Sequence, residues 1–271
     1  MDPERMSRQS FLGERITHLC EKTMVGIVGL GGGGSQISQQ MAHLGFKNFA
    51  LFDPDITEKS NLNRLIGATD WDSIWKMPKV AIAERVIHGI NPDALVQPFQ
   101  AKWQDHSAEL VKCDIVFGCV DSLLQRDQLE RIARRYLIPY VDIGMSVDTH
   151  RAPHEPPRMF GQVFISMPGD PCMRCLGFLT DDDLKLEGES YGDAGPNPQV
   201  VWANGVLASS AVGLTLGFLT GWHGRAEEIF WLSYDGNIGT LSPHIKLSFN
   251  NLQECPHYPL ERVGPVTPFT L

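Results

Sequence analysis

Short apolar runs alternate with amphipathic stretches through the first half of the chain, and this alternation predicts the architecture. Strands are expected at Val25–Leu30, Asn48–Phe52, Leu95–Gln97, Ile115–Cys119, Tyr140–Ile143 and Gly161–Ile165. Between the early strands, Ser35–Leu44, Lys79–Ile90 and Leu123–Tyr136 repeat apolar residues at helical spacing, as helices do when one face covers a sheet. Strands and helices alternating at these lengths imply an α/β fold, a Rossmann-like, mostly parallel sheet with helices on both faces.

The pattern changes after residue 150. Arg151–Pro157 is polar and proline-rich, and Thr180–Pro198 carries three consecutive aspartates with several glycines and prolines, so both stretches read as exposed loops. Gly205–Trp222 has no charged residue and the length of a membrane span. Its Ala, Gly, Ser and Thr content, with Asn204 before it and Trp222-His223-Gly224 after it, favours a helix buried against protein. Ile229–Ser233 and Thr240–Phe249 read as an antiparallel pair turning through Tyr234-Asp235-Gly236-Asn237. The expectation is one domain over 1–271: an N-terminal arm (1–22), a nucleotide-binding core (23–150), and a crossover loop, helix and antiparallel C-terminal extension (151–271).

Composition narrows the classes. With 23 basic against 32 acidic residues the formal net charge is −9, which argues against a broad basic face and hence against nucleic acid. The N-terminal Met1-Asp2-Pro3-Glu4-Arg5 shows no apolar leader, and six cysteines do not make a secreted disulfide framework. A cytoplasmic protein without a membrane partner is expected.

The chemistry concentrates around one glycine cluster. Met24-Val-Gly-Ile-Val-Gly29-Leu-Gly31-Gly32-Gly33-Gly34 joins an expected strand to an expected helix, and Asp53-Pro54-Asp55 ends the next strand. Small residues let backbone approach phosphates, the helix N-terminus offers free N–H groups, and a carboxylate after the second strand can accept from ribose hydroxyls. Downstream come Ser60-Asn61-Leu62-Asn63-Arg64, then Lys79, then Asp121 after the apolar run Ile115-Val116-Phe117. Arg64 and Lys79 suit a polyphosphate, and a lone carboxylate at the sheet rim suits Mg²⁺. Singly, these residues read equally as surface charges and, for Asp121, as a helix N-cap; their order after a glycine loop favours the chemical reading.

These stretches, together with Met6-Ser7-Arg8-Gln9, resemble the ThiF/MoeB/ubiquitin-activating-enzyme superfamily over residues 5 to about 145. Its members adenylate the C-terminal glycine of ubiquitin-like or sulfur-carrier proteins. The resemblance implies that Gly29, Gly31, Gly32, Gly34, Asp53 and Asp55 bind ATP, with Asp53 at the ribose. It further implies that Asn61, Arg64 and Lys79 bind phosphates and Asp121 positions Mg²⁺. Arg8, Arg64, Lys79 and Asp121 then form the catalytic set, Arg8 reaching in from the second subunit of a homodimer. One departure is Leu65, where the family usually carries Gln.

The cysteines pose separate questions. Pro171-Cys172-Met-Arg-Cys175 is half of a tetrahedral zinc site, and the family often supplies the other half near the C-terminus. Here Cys255 and His257 are available, more closely spaced than usual ligands, with Tyr258 where a further Cys would stand. Zinc and a degenerate loop with reduced, packed thiols remain the two readings. Cys113 and Cys119 flank an apolar strand and read as core, packed and not catalytic, whereas for Cys20 the two readings are nearer to balance. No cysteine lies between Leu176 and Glu254, so the usual loop cysteine that takes the acyl group as a thioester in conjugation-type members is missing. Direct transfer to an external nucleophile, or to Cys172, Cys175 or Cys20, is expected instead. The acidic crossing loop reads as a cover over a peptide tail or as inert surface, and Asn204–Thr220 as a dimer face or an intrachain core helix.

The leading expectation is activation of a ubiquitin-like β-grasp protein in a bacterial conjugation pathway, with a conjugating enzyme as further partner. The alternatives are sulfur-carrier activation for cofactor synthesis, adenylation of a small peptide or other carboxylate, and an inactive binding subunit.

Overall fold

The computed structural model describes residues 3–149, 152, 154–189, 198–224, 230–249 and 255–259. An N-terminal arm carries α1 (Pro3–Met6) and α2 (Ile16–Lys22). There follow β1 (Met24–Val28), α3 (Gly32–Leu44), β2 (Asn48–Phe52), α4 (Asp70–Ile74), α5 (Lys79–Ile90) and β3 (Leu95–Phe99). Next are α6 (Ser107–Leu110), β4 (Ile115–Gly118), α7 (Leu123–Arg135), and the long strands β5 (Tyr140–Asp148) and β6 (Arg158–Ser166). The last elements are α8 (Asp181–Glu189), α9 (Val201–Thr220), β7 (Trp231–Asp235) and β8 (Thr240–Pro243).

The strands form one sheet in the order β3-β2-β1-β4-β5-β6-β7-β8. The first five pair in parallel and the remaining three add antiparallel. Chain order reverses between β1 and β4, so a crevice opens beyond the carboxyl ends of those strands, where open α/β sheets bind ligands. Two apolar layers hold the sheet. One unites Ile27, Phe49 and Val141 with Ile37 and Met41 of α3, Ile87 of α5 and Leu207 and Ala211 of α9. The opposite layer packs Phe52, Val116 and Phe164 against Leu129 and Ala133 of α7, Trp103, Met173 and Leu176. Strands covered on both faces are apolar throughout, hence the unbroken runs in β1 and β4. Among the described residues β3 pairs only with β2, and an edge strand tolerates Pro98.

The apolar helix α9 lies on α3, β5 and β6. Its length and composition would suit a bilayer span, but half of its 18-residue apolar window is buried inside this fold. Val201, Trp202 and Val206 face outward.

Several expectations need correction. The stretch from Thr180 is not a loop throughout, because Asp181–Glu189 is helical. Thr180 Oγ1 accepts the Asp183 N–H at 3.1 Å, and the three aspartates that read as loop occupy a first turn whose dipole favours anions. Residues 190–197, the rest of that loop, lie outside the described residues. β5 and β6 extend well past Ile143 and before Gly161, since the nine residues of each pair with one another. The last strand ends at Pro243 and a 3-10 turn, Ile245–Phe249, replaces its expected continuation. The preceding turn falls on residues 236–239, two residues later than expected, and Ile229 lies outside the described residues. Cys20, balanced between packing and catalysis in the sequence, is fully buried with Sγ 3.5 Å from the Leu44 carbonyl, which favours packing.

Candidate functional site

The glycine loop is shaped by close approaches. Gly29 turns the chain out of β1 with φ +84°, and a Cβ there would stand 2.5 Å from the Cys119 carbonyl oxygen. A Cβ on Gly34 would overlap the carbonyl of Gly29 itself. Gly31 differs: a Cβ built on it meets nothing within 4 Å, so its backbone faces open space at the start of α3. That space is a cavity of about 350 Å³ spanning the carboxyl ends of the parallel strands.

Most of the expected residues share its wall. Gly29, Gly31, Gly32, Asp53, Asp55, Asn61, Arg64, Lys79 and Asp121 all line it. Gly34 does not; it serves the packing of α3 on the loop. Arg8 does not either. Gln9 beside it donates to the Leu44 carbonyl at 2.9 Å, which fixes this arm at the C-terminal end of α3. The glycine loop is at the other end of that 13-residue helix, about 20 Å away at 1.5 Å per residue.

Local hydrogen bonds set the orientations. Asp53 is 4% exposed, and its two carboxylate oxygens accept the N–H groups of Leu30 at 2.6 Å and Asp55 at 2.8 Å. Burial raises its pKa, against the opposing pull of Lys79 and these two N–H groups. Lys79, the first residue of α5, reaches back to Asp55 at 2.7 Å. Arg64 donates to the Ser60 carbonyl and to Asn63 Oδ1, so its planar head is held at the wall. Asn61 Oδ1 accepts the Glu58 N–H in a capping box. Asp121 is not the cap of α7: Ser122 is, accepting the Gln125 N–H at 3.2 Å, which leaves the Asp121 carboxylate on the cavity. Cys119, expected in the core, is half-buried and lines the cavity too.

Sequence reasoning missed several residues that build this wall. Buried Ser35 accepts the Ile66 N–H at 3.1 Å and ties the Arg64 loop to α3. Arg126, almost wholly buried, pairs with Asp142 at 2.6 Å and donates to the Val120 carbonyl at 3.0 Å, behind Asp121. Gln199 donates from Nε2 to Asp121 Oδ1 at 3.0 Å, and its own carbonyl accepts Asn63 Nδ2 at 3.1 Å. Asn204 sits against Gly32. A serine at the start of a glycine-rich helix was a usable signal; Gln199 and Asn204 come from far along the chain and carried none.

The second cluster assembles as the sequence allowed. The Sγ atoms of Cys172, Cys175 and Cys255 and a His257 ring nitrogen lie within 4.8 Å of one another. Individual separations are 3.6 Å (Cys172–Cys175), 3.5 Å (Cys175–Cys255), and 3.4 and 3.3 Å from His257 Nδ1 to Cys172 and Cys175. A tetrahedral zinc ion with Zn–S of ~2.3 Å and Zn–N of ~2.0 Å has edges of about 3.5–3.8 Å. The donor set therefore fits zinc, and the Cys175 N–H pointing at Cys172 Sγ, 3.4 Å, is the kind of outer contact that orients a thiolate ligand. α7 grips this loop: buried Glu130 accepts the Met173 N–H at 3.1 Å, and Asp127 pairs with Arg174 at 2.8 Å.

Fold and cavity together define a nucleotide-binding α/β protein. The chain belongs to the ThiF family, whose profile matches residues 5–256. It is similar to the molybdopterin-synthase adenylyltransferase of Escherichia coli K12, at 34% identity over 157 residues, 56% of this chain and 58% of that protein. Similarity to a rice ubiquitin-like modifier-activating enzyme 5 is weaker but longer, 23% over 257 residues, covering 89% of this chain and 53% of that one. The chain thus spans well under two thirds of the length of these relatives. Among solved structures, E. coli MccB with MccA superposes with a TM-score of 0.70 at 19% identity, covering 89% of this chain and 71% of MccB, which establishes the shared fold.

Proposed function

We propose that this protein is an ATP-dependent adenylyltransferase that activates the C-terminal carboxylate of a small sulfur-carrier or ubiquitin-like protein. The carrying observation is the convergence of Gly31, Asp53, Arg64, Lys79 and Asp121 on one cavity wall. Gly31 supports the reading most directly, because its backbone faces open space at a helix N-terminus, a cradle a phosphate fills and a Cβ would obstruct. Cations and a carboxylate gathered there have no use in a purely structural subunit, which counts against the inactive reading.

The chemistry follows from charge. A carboxylate attacking the α-phosphate forms an acyl–adenylate bond and expels pyrophosphate, so two anions must be brought together. Arg64 and Lys79 neutralise the phosphates and hold them for in-line displacement; the protein itself forms no bond. Asp53 orients the ribose while its two backbone N–H contacts keep it in place. Asp121, backed by Arg126 through the Val120 carbonyl, would hold Mg²⁺. That ion supplies electrostatic stabilisation of the phosphate oxygens when bound.

Between the two partner classes, the sulfur-carrier reading is favoured: the molybdopterin-synthase relative is 34% identical where the ubiquitin-like modifier-activating relative is 23% identical. This replaces the conjugation pathway as the leading reading. A homodimer goes with it, because Arg8 lies at the far end of α3 from its own cavity and only a second copy can present it there. Zinc at Cys172, Cys175, Cys255 and His257 would clamp the C-terminal segment to α7. The test is incubation with ATP, magnesium and a candidate small protein ending in glycine, read by mass spectrometry. An adenylate on the terminal carboxylate supports the proposal; ADP formation with an unmodified partner refutes it.

A further inference from the structure

The cavity is longer than the nucleotide reading uses. Trp103 and Lys102 flank it beyond β3, Asp53 follows β2, the glycine loop follows β1 and Asp121 follows β4. If base and ribose lie toward β2 and β3 and the phosphates over the glycine loop, the lining left over includes Ile143 and Met145 of β5, Asn204 beside Ile143 at Gly33, and Gln199 beside Asp121. A nucleophile must arrive from a side opposite the leaving pyrophosphate, and this part of the wall is the vacant approach. The cations of the wall, Arg64, Lys79 and Lys102, belong to the segments that follow β2 and β3, Lys79 as the first residue of α5, and not to this part.

From the segment that leads into α9 and from α9 itself, the polar lining side chains are Gln199 and Asn204. Asn204 Nδ2 is committed to the Val200 carbonyl at 3.0 Å. Gln199 has a donor aimed at an anion: its Nε2 rests on Asp121 Oδ1 at 3.0 Å, while Asn63 pins its backbone carbonyl at 3.1 Å. The residue is therefore fixed by its main chain and free to redirect its amide. Leu65, on the same wall and 5% exposed, offers only apolar surface.

We infer that Gln199 receives the attacking carboxylate of the partner protein, its amide turning from Asp121 to donate to that carboxylate beside the α-phosphate. This rests on the adenylation reading and adds to it the residue that selects the acyl substrate. No proton moves in the step: the carboxylate oxygen forms the new bond to phosphorus, the bond to pyrophosphate breaks, and the N–H only orients the nucleophile. A donor without positive charge suits this task, since it holds a carboxylate without competing for the phosphates.

The experiment compares wild type with Gln199→Ala and the near-isosteric Gln199→Glu, each checked for an unchanged thermal transition. ATP affinity is measured by calorimetry with a non-hydrolysable analogue, and partner affinity by titrating the carrier protein onto the analogue-loaded enzyme. Loss of a hydrogen bond to a charged group predicts a tenfold to hundredfold weaker partner affinity and a matching rise in KM for the partner, equivalent to about 1.4–2.8 kcal/mol. ATP affinity should stay within about twofold, and Gln199→Glu should be the worse variant through repulsion. Unchanged partner affinity in both variants, or an equal loss toward ATP, overturns the inference. Failure of the wild type to adenylate any carrier would instead overturn the underlying reading, so the two failures are told apart.

Discussion

The Asp53 carboxylate accepts the Leu30 N–H at 2.6 Å, joining the end of β2 to the glycine loop after β1. One oxygen is thereby spent on the loop, and the other on the Asp55 N–H. Asp53→Asn turns one acceptor into a donor facing an N–H. It should weaken nucleotide binding by tenfold or more and cost about 1–3 kcal/mol of stability. Calorimetry with ATP and a thermal melt check both; unchanged nucleotide affinity would remove Asp53 from the site.

Gly31 and Gly34 predict opposite outcomes from the same substitution. Gly34→Ala drives a Cβ into the Gly29 carbonyl and should lower the melting temperature markedly. Gly31→Ala meets no protein atom and should fold normally while losing nucleotide affinity. A Gly31→Ala variant that binds ATP like wild type would contradict the phosphate cradle.

The loop that carries Lys79 into place depends on Asp72. Its carboxylate takes both Arg85 Nη1 and Nη2 at 2.8 Å and caps the Thr69 N–H. Hydrogen bonds from Arg85 hold its pKa below the usual carboxylate range, with burial opposing. The folded pKa is the lower one, so the stabilisation is complete above the unfolded value of about 4 and is lost as pH falls toward the folded value. Asp72→Asn should thus lower the melting temperature by several degrees at pH 7, and the gap to wild type should narrow toward pH 3. A gap independent of pH would show that the ion pair is not its source.

Thiol chemistry separates packed from clustered cysteines. Burial pushes both Cys20 and Cys113 up to about 12, so at pH 8 only about one molecule in ten thousand carries the thiolate at either position. Both should resist alkylation until the protein unfolds, which also removes Cys20 as an acyl acceptor. Elemental analysis should find about one zinc per chain, and chelation should lower the melting temperature and expose Cys172, Cys175 and Cys255 to alkylation. A metal-free protein indifferent to chelator would favour packed thiols.

What the sequence revealed was what short-range pattern encodes. α5 was legible to the residue, because its amphipathic repeat and the proline before it mark both face and start. That Asp53, Lys79 and Asp121 share one cavity was legible because Asp53 and Asp121 follow strands and Lys79 opens a helix, whereas Arg64 was picked out by its order after the glycine loop. The helix over Asp181–Glu189 was hidden, since three aspartates read as a loop until Thr180 supplies a cap. The polar network of α7 was hidden for another reason. Arg126, Glu130 and Arg134 look like a solvated stripe, yet all three are buried by partners on β5, β6 and the cysteine loop. Gln199 reaches Asp121 across 78 positions, beyond any local pattern.

Pyrophosphate exchange tests the central claim most directly. With ATP, magnesium and a carrier protein ending in glycine, labelled pyrophosphate should enter ATP only when the carrier is present, and Asp121→Ala should abolish the exchange. Carrier-independent exchange, or full exchange in Asp121→Ala, would contradict the account.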